Sequence, residues 1–240
     1  MRGKRMGAGL AMVALASIAG RAAAYEVIAV TDGGTLSGTV KFDGAPPAPG
    51  KIIVSKDPEV CGKDKVAPEL LVAADGGIAN VVVAVKASKG KKLDLPVPNP
   101  VVDQKTCEFH PHVLVFPAGS TIDVLNSDGI LHNIHTTSTA NPPTNQAQPK
   151  FKPKIQLKVE KPEWPIKVQC DAHGWMSAWF VSTDTPYVVV TDDKGAFKIT
   201  DLPPGDYDVE IWQEKLGKKT EKVSIPAKGE AKVDWKMGKG

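Results

Sequence analysis

The amino-acid sequence predicts an all-β protein built from β-sandwiches. Short runs of alternating or β-branched apolar residues recur along the chain, and clusters of Gly, Pro, Asp and Asn separate them. No stretch beyond residue 24 keeps a long apolar period of 3.6 residues. Short strands with frequent turns are typical of sandwiches. We therefore expect helices to be few and short.

Ten strands are predicted from the apolar runs. In chain order they cover residues 35–42, 80–86, 113–116, 121–125, 155–159, 166–169, 179–181, 187–191, 196–199 and 207–212. The lysine-rich stretches 89–92 and 215–219 are predicted to be solvated turns. The proline-rich stretches 45–49 and 141–153 are predicted to be loops or an extended edge, because proline removes a backbone donor.

Residues 1–24 have the features of a secretory signal peptide. Arg2, Lys4 and Arg5 precede a short apolar stretch, and alanines at 22–24 supply the small residues of a cleavage site. The apolar stretch is too short to predict a membrane span. The protein is therefore expected to be periplasmic or secreted, with no stable membrane span once the signal is removed.

The charge balance argues against a nucleic-acid partner. Four of the 30 basic side chains belong to residues 1–24, which contain no acidic residue. Beyond residue 24, 26 basic side chains face 27 acidic ones, a formal balance near −1. Proteins that bind phosphate backbones need a basic surface, and this sequence predicts none.

A cluster of metal-binding residue types follows the predicted strand 166–169. Cys170, His173 and Met176 form a Cys-x-x-His-x-x-Met run, and His132 lies upstream in the stretch His132-Asn133-Ile134-His135. Two imidazoles, one thiolate and one thioether are the donors of a blue-copper site. Three of them lie within seven residues, so one tight turn between two strands can present them together.

These two motifs resemble those of the cupredoxins. The run from Cys170 to Met176 is similar in length to the short ligand loop of cupredoxins of the amicyanin type. The resemblance covers roughly residues 100–183 and implies a Greek-key β-sandwich. It also implies that His132, Cys170, His173 and Met176 bind one type 1 copper ion, with Asn133 bracing the ligand loop. By the same resemblance the edge of His173 is expected to be exposed and to face a redox protein partner.

The other cysteines and histidines have alternative roles. The three cysteines are an odd number for an oxidising compartment, so a disulfide between Cys61 and Cys107 would leave Cys170 free for a metal. A second metal at Cys107, His110 and His112 is the competing interpretation. A hydrogen-bonding role is favoured for His135, with ligation as the alternative. Trp175 is expected to pack beside the ligand loop.

A second sandwich is predicted from both ends of the chain. Residues 190–197 and 202–209 resemble the carboxypeptidase regulatory-like, transthyretin-like fold, and the two earlier strands of that fold are predicted at 36–40 and 79–85. The predicted domains are therefore a discontinuous sandwich of residues 25–96 and 184–240, with the cupredoxin-like unit of residues 97–183 inserted. Three consecutive units are the alternative.

The leading functional hypothesis is a secreted or periplasmic carrier of single electrons. The sequence has no nucleophile elbow, no phosphate-binding glycine loop, no zinc-protease helix and no haem attachment motif, so the protein is predicted not to be an enzyme. Copper binding for storage or delivery is one alternative. An adhesion or carbohydrate-binding module with a cupredoxin-like unit is another. Zinc is also acceptable to a set of one cysteine and two histidines.

Overall fold

The computed structural model describes residues 25–238. The predicted signal peptide, residues 1–24, lies outside the described residues. Within them the only helix is one short turn, and no helix is long and apolar enough to cross a membrane. The prediction of an all-β protein is confirmed.

The first half of the described chain contains short strands, the helix and the beginning of the central sheets. Its elements are β1 (Glu26–Val27), β2 (Gly34–Phe42), β3 (Lys51–Ile52), α1 (Pro58–Cys61), β4 (Lys65–Val66), β5 (Val82–Val85), β6 (Lys89–Gly90), β7 (Val101–Lys105), β8 (Glu108–His110), β9 (Val113–Pro117) and β10 (Ser120–Asn126).

The second half contains the longer strands. They are β11 (His132–Thr137), β12 (Thr144–Gln148), β13 (Lys154–Val159), β14 (Glu163–Gln169), β15 (Ser177–Thr183), β16 (Val188–Val190), β17 (Ala196–Leu202), β18 (Gly205–Gln213), β19 (Gly217–Ile225) and β20 (Glu230–Met237). A strand lies at each of the ten predicted positions.

The prediction of a solvated turn at residues 215–219 is wrong in its second half. The turn ends at Leu216, and β19 begins at Gly217 and pairs with β18 along its whole length. Because β19 is an edge strand, its lysines point to solvent and cost little there. The proline-rich stretch 141–153 contains β12, which is the extended edge of its sheet.

Two sheets packed face to face surround the predicted metal motif. One has the strand order β13-β10-β7-β8, and the other has the order β12-β11-β14-β15-β9. Their shared core contains the fully buried side chains of Ile122, Ile134 and Phe180. Phe116 and Phe180 meet edge to face with ring centroids 5.5 Å apart, an arrangement that aromatic pairs favour.

Strands from both ends of the chain share the second pair of sheets. The order of one is β16-β5-β18-β19 and that of the other is β17-β2-β20. Their core includes Leu36, Tyr187 and Ile211, none of which is exposed. The predicted domain boundaries and the transthyretin-like assignment remain predictions.

Aromatic and charged contacts join the two pairs of sheets beside the metal motif. Trp179 of β15 packs edge to face on Trp212 of β18, with ring centroids 5.2 Å apart. The buried His112 ring contacts the Glu214 carboxylate through Nε2 and the Ser177 carbonyl oxygen through Nδ1. Because Ser177 begins β15 directly after Met176, these contacts hold one end of the ligand loop against the second sandwich.

Acid is expected to weaken the contact between β14 and the turn that follows β11. Burial alone would raise the pKa of Glu163, but hydrogen bonds from Ser138, Thr139 and Asn141 outweigh it and lower the pKa to about 2. A depressed pKa means that this stabilisation is full above the unfolded value of about 4.5 and is lost as the pH falls towards 2. Glu163→Gln should therefore lower Tm at pH 7, and the gap from the unmodified protein should close below pH 4.

The exposed neighbour Glu160 provides the control, because its side chain has no partner among the described residues. Glu160→Gln should leave Tm unchanged across the same pH range. A Tm difference for Glu163→Gln that stays constant from pH 7 to pH 2 would contradict the role assigned to the ionised carboxylate.

Candidate metal centre

The ligand loop is the connection between β14 and β15. Gln169 at the end of β14 pairs with Ser177 at the start of β15, so residues 170–176 form a closed turn. The Cys170 N–H donates to the Met176 carbonyl oxygen at 3.2 Å, and the Met176 N–H donates to the His173 carbonyl oxygen at 2.9 Å. This short turn places Cys170, His173 and Met176 at one end of the sandwich, as their spacing predicts.

His132 reaches the same place from the neighbouring strand. It begins β11, which pairs with β14 in the same sheet. The His132 Nδ1 atom lies 3.7 Å from Cys170 Sγ and 3.0 Å from His173 Nδ1, and Cys170 Sγ lies 3.9 Å from His173 Nδ1. His132 and His173 have an exposed fraction of 0%, and Cys170 has one of 1%. Two residues close in the chain and one distant residue therefore present three donor atoms to one buried point.

The three donor atoms fit a metal ion. The point equidistant from them lies about 2.1 Å from each, which equals a metal–imidazole bond and is about 0.2 Å shorter than a zinc–thiolate bond. Thiolate and imidazole together suit copper in both oxidation states and are also acceptable to zinc. Met176 is buried in the same loop, and its assignment as a fourth ligand remains a prediction.

Two carboxylates hold the outer edges of the imidazoles. The His132 Nε2 atom lies 2.9 Å from Asp128 Oδ2, and the His173 Nε2 atom lies 2.9 Å from Asp57 Oδ2. An ionised carboxylate only accepts hydrogen bonds, so Nε2 of each ring is the donor, and the Nδ1 atom of a neutral ring then carries a lone pair. Two lone pairs 3.0 Å apart repel each other unless a proton or a cation lies between them.

The environment of His132 favours the metal-binding form of its ring. Burial lowers the pKa of His132, and this effect outweighs the hydrogen bond to Asp128, which raises it. The neutral imidazole is the form that binds a metal. The exclusion of water from the His132 ring therefore favours its binding to a metal and disfavours a positively charged pair of His132 and His173.

Asn133 braces the ligand loop, as the resemblance implies. Its Oδ1 atom accepts hydrogen bonds from the Asp171 N–H at 2.6 Å and the Ala172 N–H at 3.2 Å, and lies 3.4 Å from Cys170 Sγ. Its Nδ2 atom donates to Asn145 and Asp171. One amide thus holds the backbone on the C-terminal side of the cysteine.

His135 belongs to the hydrogen-bond network around Asp171 and is not among the three converging donors. Its Nδ1 atom lies 3.0 Å from Asp171 Oδ1. Hydrogen bonds from His135 and Asn145 lower the pKa of Asp171 to about 2. His135 lies on the face of β11 that carries Asn133, because side chains alternate along a strand.

The expected exposed edge of His173 is wrong, because that residue is fully buried. Residues 51–66, which comprise β3, α1 and β4, contact His173 through Asp57, and we call them the capping segment. Asp57 of this segment occupies the outer edge of the imidazole. The capping segment precedes the stretch that carries the resemblance, so the resemblance could not include it.

The predicted disulfide between Cys61 and Cys107 is confirmed and ties the capping segment to the sandwich. Their Cα atoms are 5.0 Å apart, and the two sulfur atoms and a His173 ring nitrogen all lie within 4.8 Å of one another. A second metal at Cys107, His110 and His112 is therefore wrong. The sulfur of Cys107 is bonded to Cys61, and both ring nitrogens of His112 have other partners.

Trp175 belongs to the ligand loop and packs against His173 and the turn that contains Cys107. Its ring lies edge to face against His173 at a centroid distance of 5.2 Å, and its Nε1–H donates to the Cys107 carbonyl oxygen at 3.2 Å. This is the packing role expected from its position in the sequence. Trp175 therefore contributes, together with Asp57, to the burial of His173.

Sequence reasoning did not find Asp57 and Asp128. Asp128 precedes His132 by four residues in a turn, a spacing that could have suggested the contact. Asp57 is 116 residues from His173, and no local pattern connects the two.

No protein-family profile and no curated protein sequence matches this chain. Several solved structures match part of this chain. A copper-containing nitrite reductase from Thermus scotoductus matches 38% of this chain with 19% identity and a TM-score of 0.34, and the match spans 24% of the reductase. A purple cupredoxin from Nitrosopumilus maritimus matches 35% of this chain and 100% of its own length, with 16% identity and a TM-score of 0.31.

Amicyanin from Paracoccus versutus matches 42% of this chain and 97% of its own length, with 15% identity and a TM-score of 0.33.

Proposed function

We propose that this protein is a periplasmic or secreted carrier of single electrons, with one type 1 copper ion held by His132, Cys170, His173 and Met176. The proposal depends above all on the convergence of two imidazole lone pairs and one sulfur on a buried point. A bound copper ion would supply the one-electron couple. A separate redox protein would supply and accept the electron.

The residues around the donors suit electron transfer because they limit movement. Asp128 holds His132, Asp57 holds His173, and the Asn133 amide and the Met176 carbonyl hold the backbone on either side of the Cys170 sulfur. Ligands that cannot rearrange lower the cost of changing the oxidation state. Cys170 remains the proposed principal electronic link to copper. Because the His173 ring is buried, we no longer propose its edge as the exit route of the electron.

The decisive test is the spectrum of the purified protein after addition of Cu(II). We expect an intense visible thiolate-to-copper band, narrowed copper hyperfine splitting in electron paramagnetic resonance, and repeated bleaching and recovery with ascorbate and ferricyanide. His135→Gln is the matched control, because it removes a nearby imidazole outside the three-donor set and should keep the band. Copper bound without the band would contradict the proposal.

Copper holding or delivery is the second candidate, and the burial of His173 favours it. A metal beneath the capping segment is shielded from solvent and from a partner at that edge. A holding protein should bind Cu(I) without a reversible Cu(II) spectrum and should release it to a chelating acceptor. A carrier should retain copper through many redox cycles in the presence of the same acceptor.

A further inference from the structure

Asp57 contacts the metal centre from outside the ligand-bearing sheet. Its carboxylate lies 2.9 Å from His173 Nε2 and has no other side-chain hydrogen bond or ion pair among residues 25–238. The Asp57 side chain keeps 32% of its surface exposed, whereas the His173 side chain has none. The carboxylate thus stands between the buried imidazole and solvent.

The backbone at Asp57 is arranged so that its side chain faces His173. Asp57 is the residue that precedes helix α1, and it adopts the left-handed conformation with φ 48° and ψ 47°. An aspartate at this position normally accepts a hydrogen bond from an N–H of the first helical turn. Here the carboxylate makes no such bond. Asp57 thus adopts a backbone conformation that is unfavourable for residues other than glycine. Its side chain contacts the His173 imidazole and does not cap the helix.

Contacts on both sides of Asp57 fix the capping segment over the metal centre. Cys61, at the end of α1, is bonded to Cys107. The preceding residue, Lys56, donates through Nζ to the Ala172 carbonyl oxygen at 3.3 Å. At the ends of the segment β3 pairs with β4, and Lys65 lies 3.4 Å from the Glu108 carboxylate. Asp57 therefore has little freedom to leave His173 while the disulfide is intact.

We propose that Asp57 is a positioning residue for the metal centre, held in place by the Cys61–Cys107 disulfide, and that it slows the loss of bound metal. By accepting the Nε2–H of His173 it fixes the tautomer whose Nδ1 lone pair faces the metal and prevents rotation of the ring. The proposal depends on metal binding at the proposed site but not on electron transfer or on the identity of the metal.

Removal of a carboxylate that holds a metal-binding histidine typically costs 10-fold to 100-fold in metal affinity. We expect Asp57→Ala to accelerate release of Cu(I) to bathocuproine disulfonate, and of Zn(II) to pyridylazoresorcinol, by about 10-fold to 100-fold. Asp57→Asn keeps an oxygen acceptor and should restore most of the retention. The control Glu59→Gln changes an exposed carboxylate two residues away and should release both metals at the unmodified rate.

A second measurement detects the tautomer without any metal. Long-range proton–nitrogen NMR spectra of the metal-free protein should show a proton on His173 Nε2, the atom that faces Asp57. In Asp57→Ala the two tautomers should both be populated. A merely structural role of Asp57 would lower Tm without changing the tautomer.

The dependence on the disulfide is tested by Cys61→Ala/Cys107→Ala. In that background Asp57→Ala should change the release rates by less than about 3-fold, because non-additive effects identify residues that act as one unit. Metal release from Asp57→Ala at the unmodified rate, with His173 still in a single tautomer, would overturn the proposal. An equally large effect of Asp57→Ala with and without the disulfide would overturn the role of the disulfide.

The outcomes separate this proposal from the proposed function. A protein that shows no blue-copper spectrum but loses zinc faster in Asp57→Ala would exclude electron transfer and keep the positioning role. A protein that shows the blue-copper spectrum but releases metal at the same rate with and without Asp57 would support electron transfer and exclude the positioning role.

Discussion

Replacement of Cys170 by serine is expected to abolish the thiolate-to-copper band completely. A serine hydroxyl does not ionise at neutral pH and is a hard, weak donor, so it cannot replace the thiolate. The two imidazoles would remain, and a weakly bound Cu(II) with an ordinary electron paramagnetic resonance spectrum should result. The measurement is the visible and resonance spectrum of Cys170→Ser beside that of the unmodified protein at the same copper loading.

The fold should survive this substitution. Cys170 is not part of the disulfide, and the hydroxyl of serine can still donate to the Asn133 amide oxygen, which lies 3.4 Å from the sulfur. A far-UV circular dichroism spectrum and a Tm close to those of the unmodified protein would establish this. A blue band that persists in Cys170→Ser would place the thiolate elsewhere and refute the proposed centre.

Asn133→Ala is expected to weaken both the fold and the metal centre. The Asp171 and Ala172 N–H groups both donate to the Asn133 amide oxygen, and each unmet donor costs about 1–2 kcal/mol here, below the maximum for a fully buried group, because Asp171 is exposed and Ala172 half-buried. We therefore expect the free energy of unfolding to fall by about 2–4 kcal/mol. Metal affinity should fall by about 10-fold to 100-fold, because the loop that carries Cys170 is no longer braced.

Asn145→Ala is the matched control for this change. Asn145 has the same side chain and belongs to the same network, but it is exposed and does not accept from the loop backbone. Urea unfolding and metal titration of both variants should show a much larger effect for Asn133→Ala. Equal effects would mean that the network as a whole, and not the Asn133 oxygen, supports the loop.

Most strands found by sequence reasoning have one face or both faces buried. The stretch 155–159 alternates buried and exposed residues within β13, and β5 is buried on both faces. The strand β19 escaped prediction because most of its residues are polar and exposed. β19 is a strand because it pairs with β18. A strand that depends on its neighbour in this way shows little of the apolar alternation from which strands are predicted.

The chain by itself determined the donor types, their spacing and the turn that brings Cys170, His173 and Met176 together. These are local properties, since seven consecutive residues between two paired strands must return on themselves. Tertiary structure decided what covers the centre. Asp57 is separated from His173 by 116 residues and Cys61 from Cys107 by 46, so only the folded chain places them beside the imidazole. Burial of His173 follows from that placement, because a segment from outside the ligand-bearing sandwich closes the edge that the ligand motif alone leaves open.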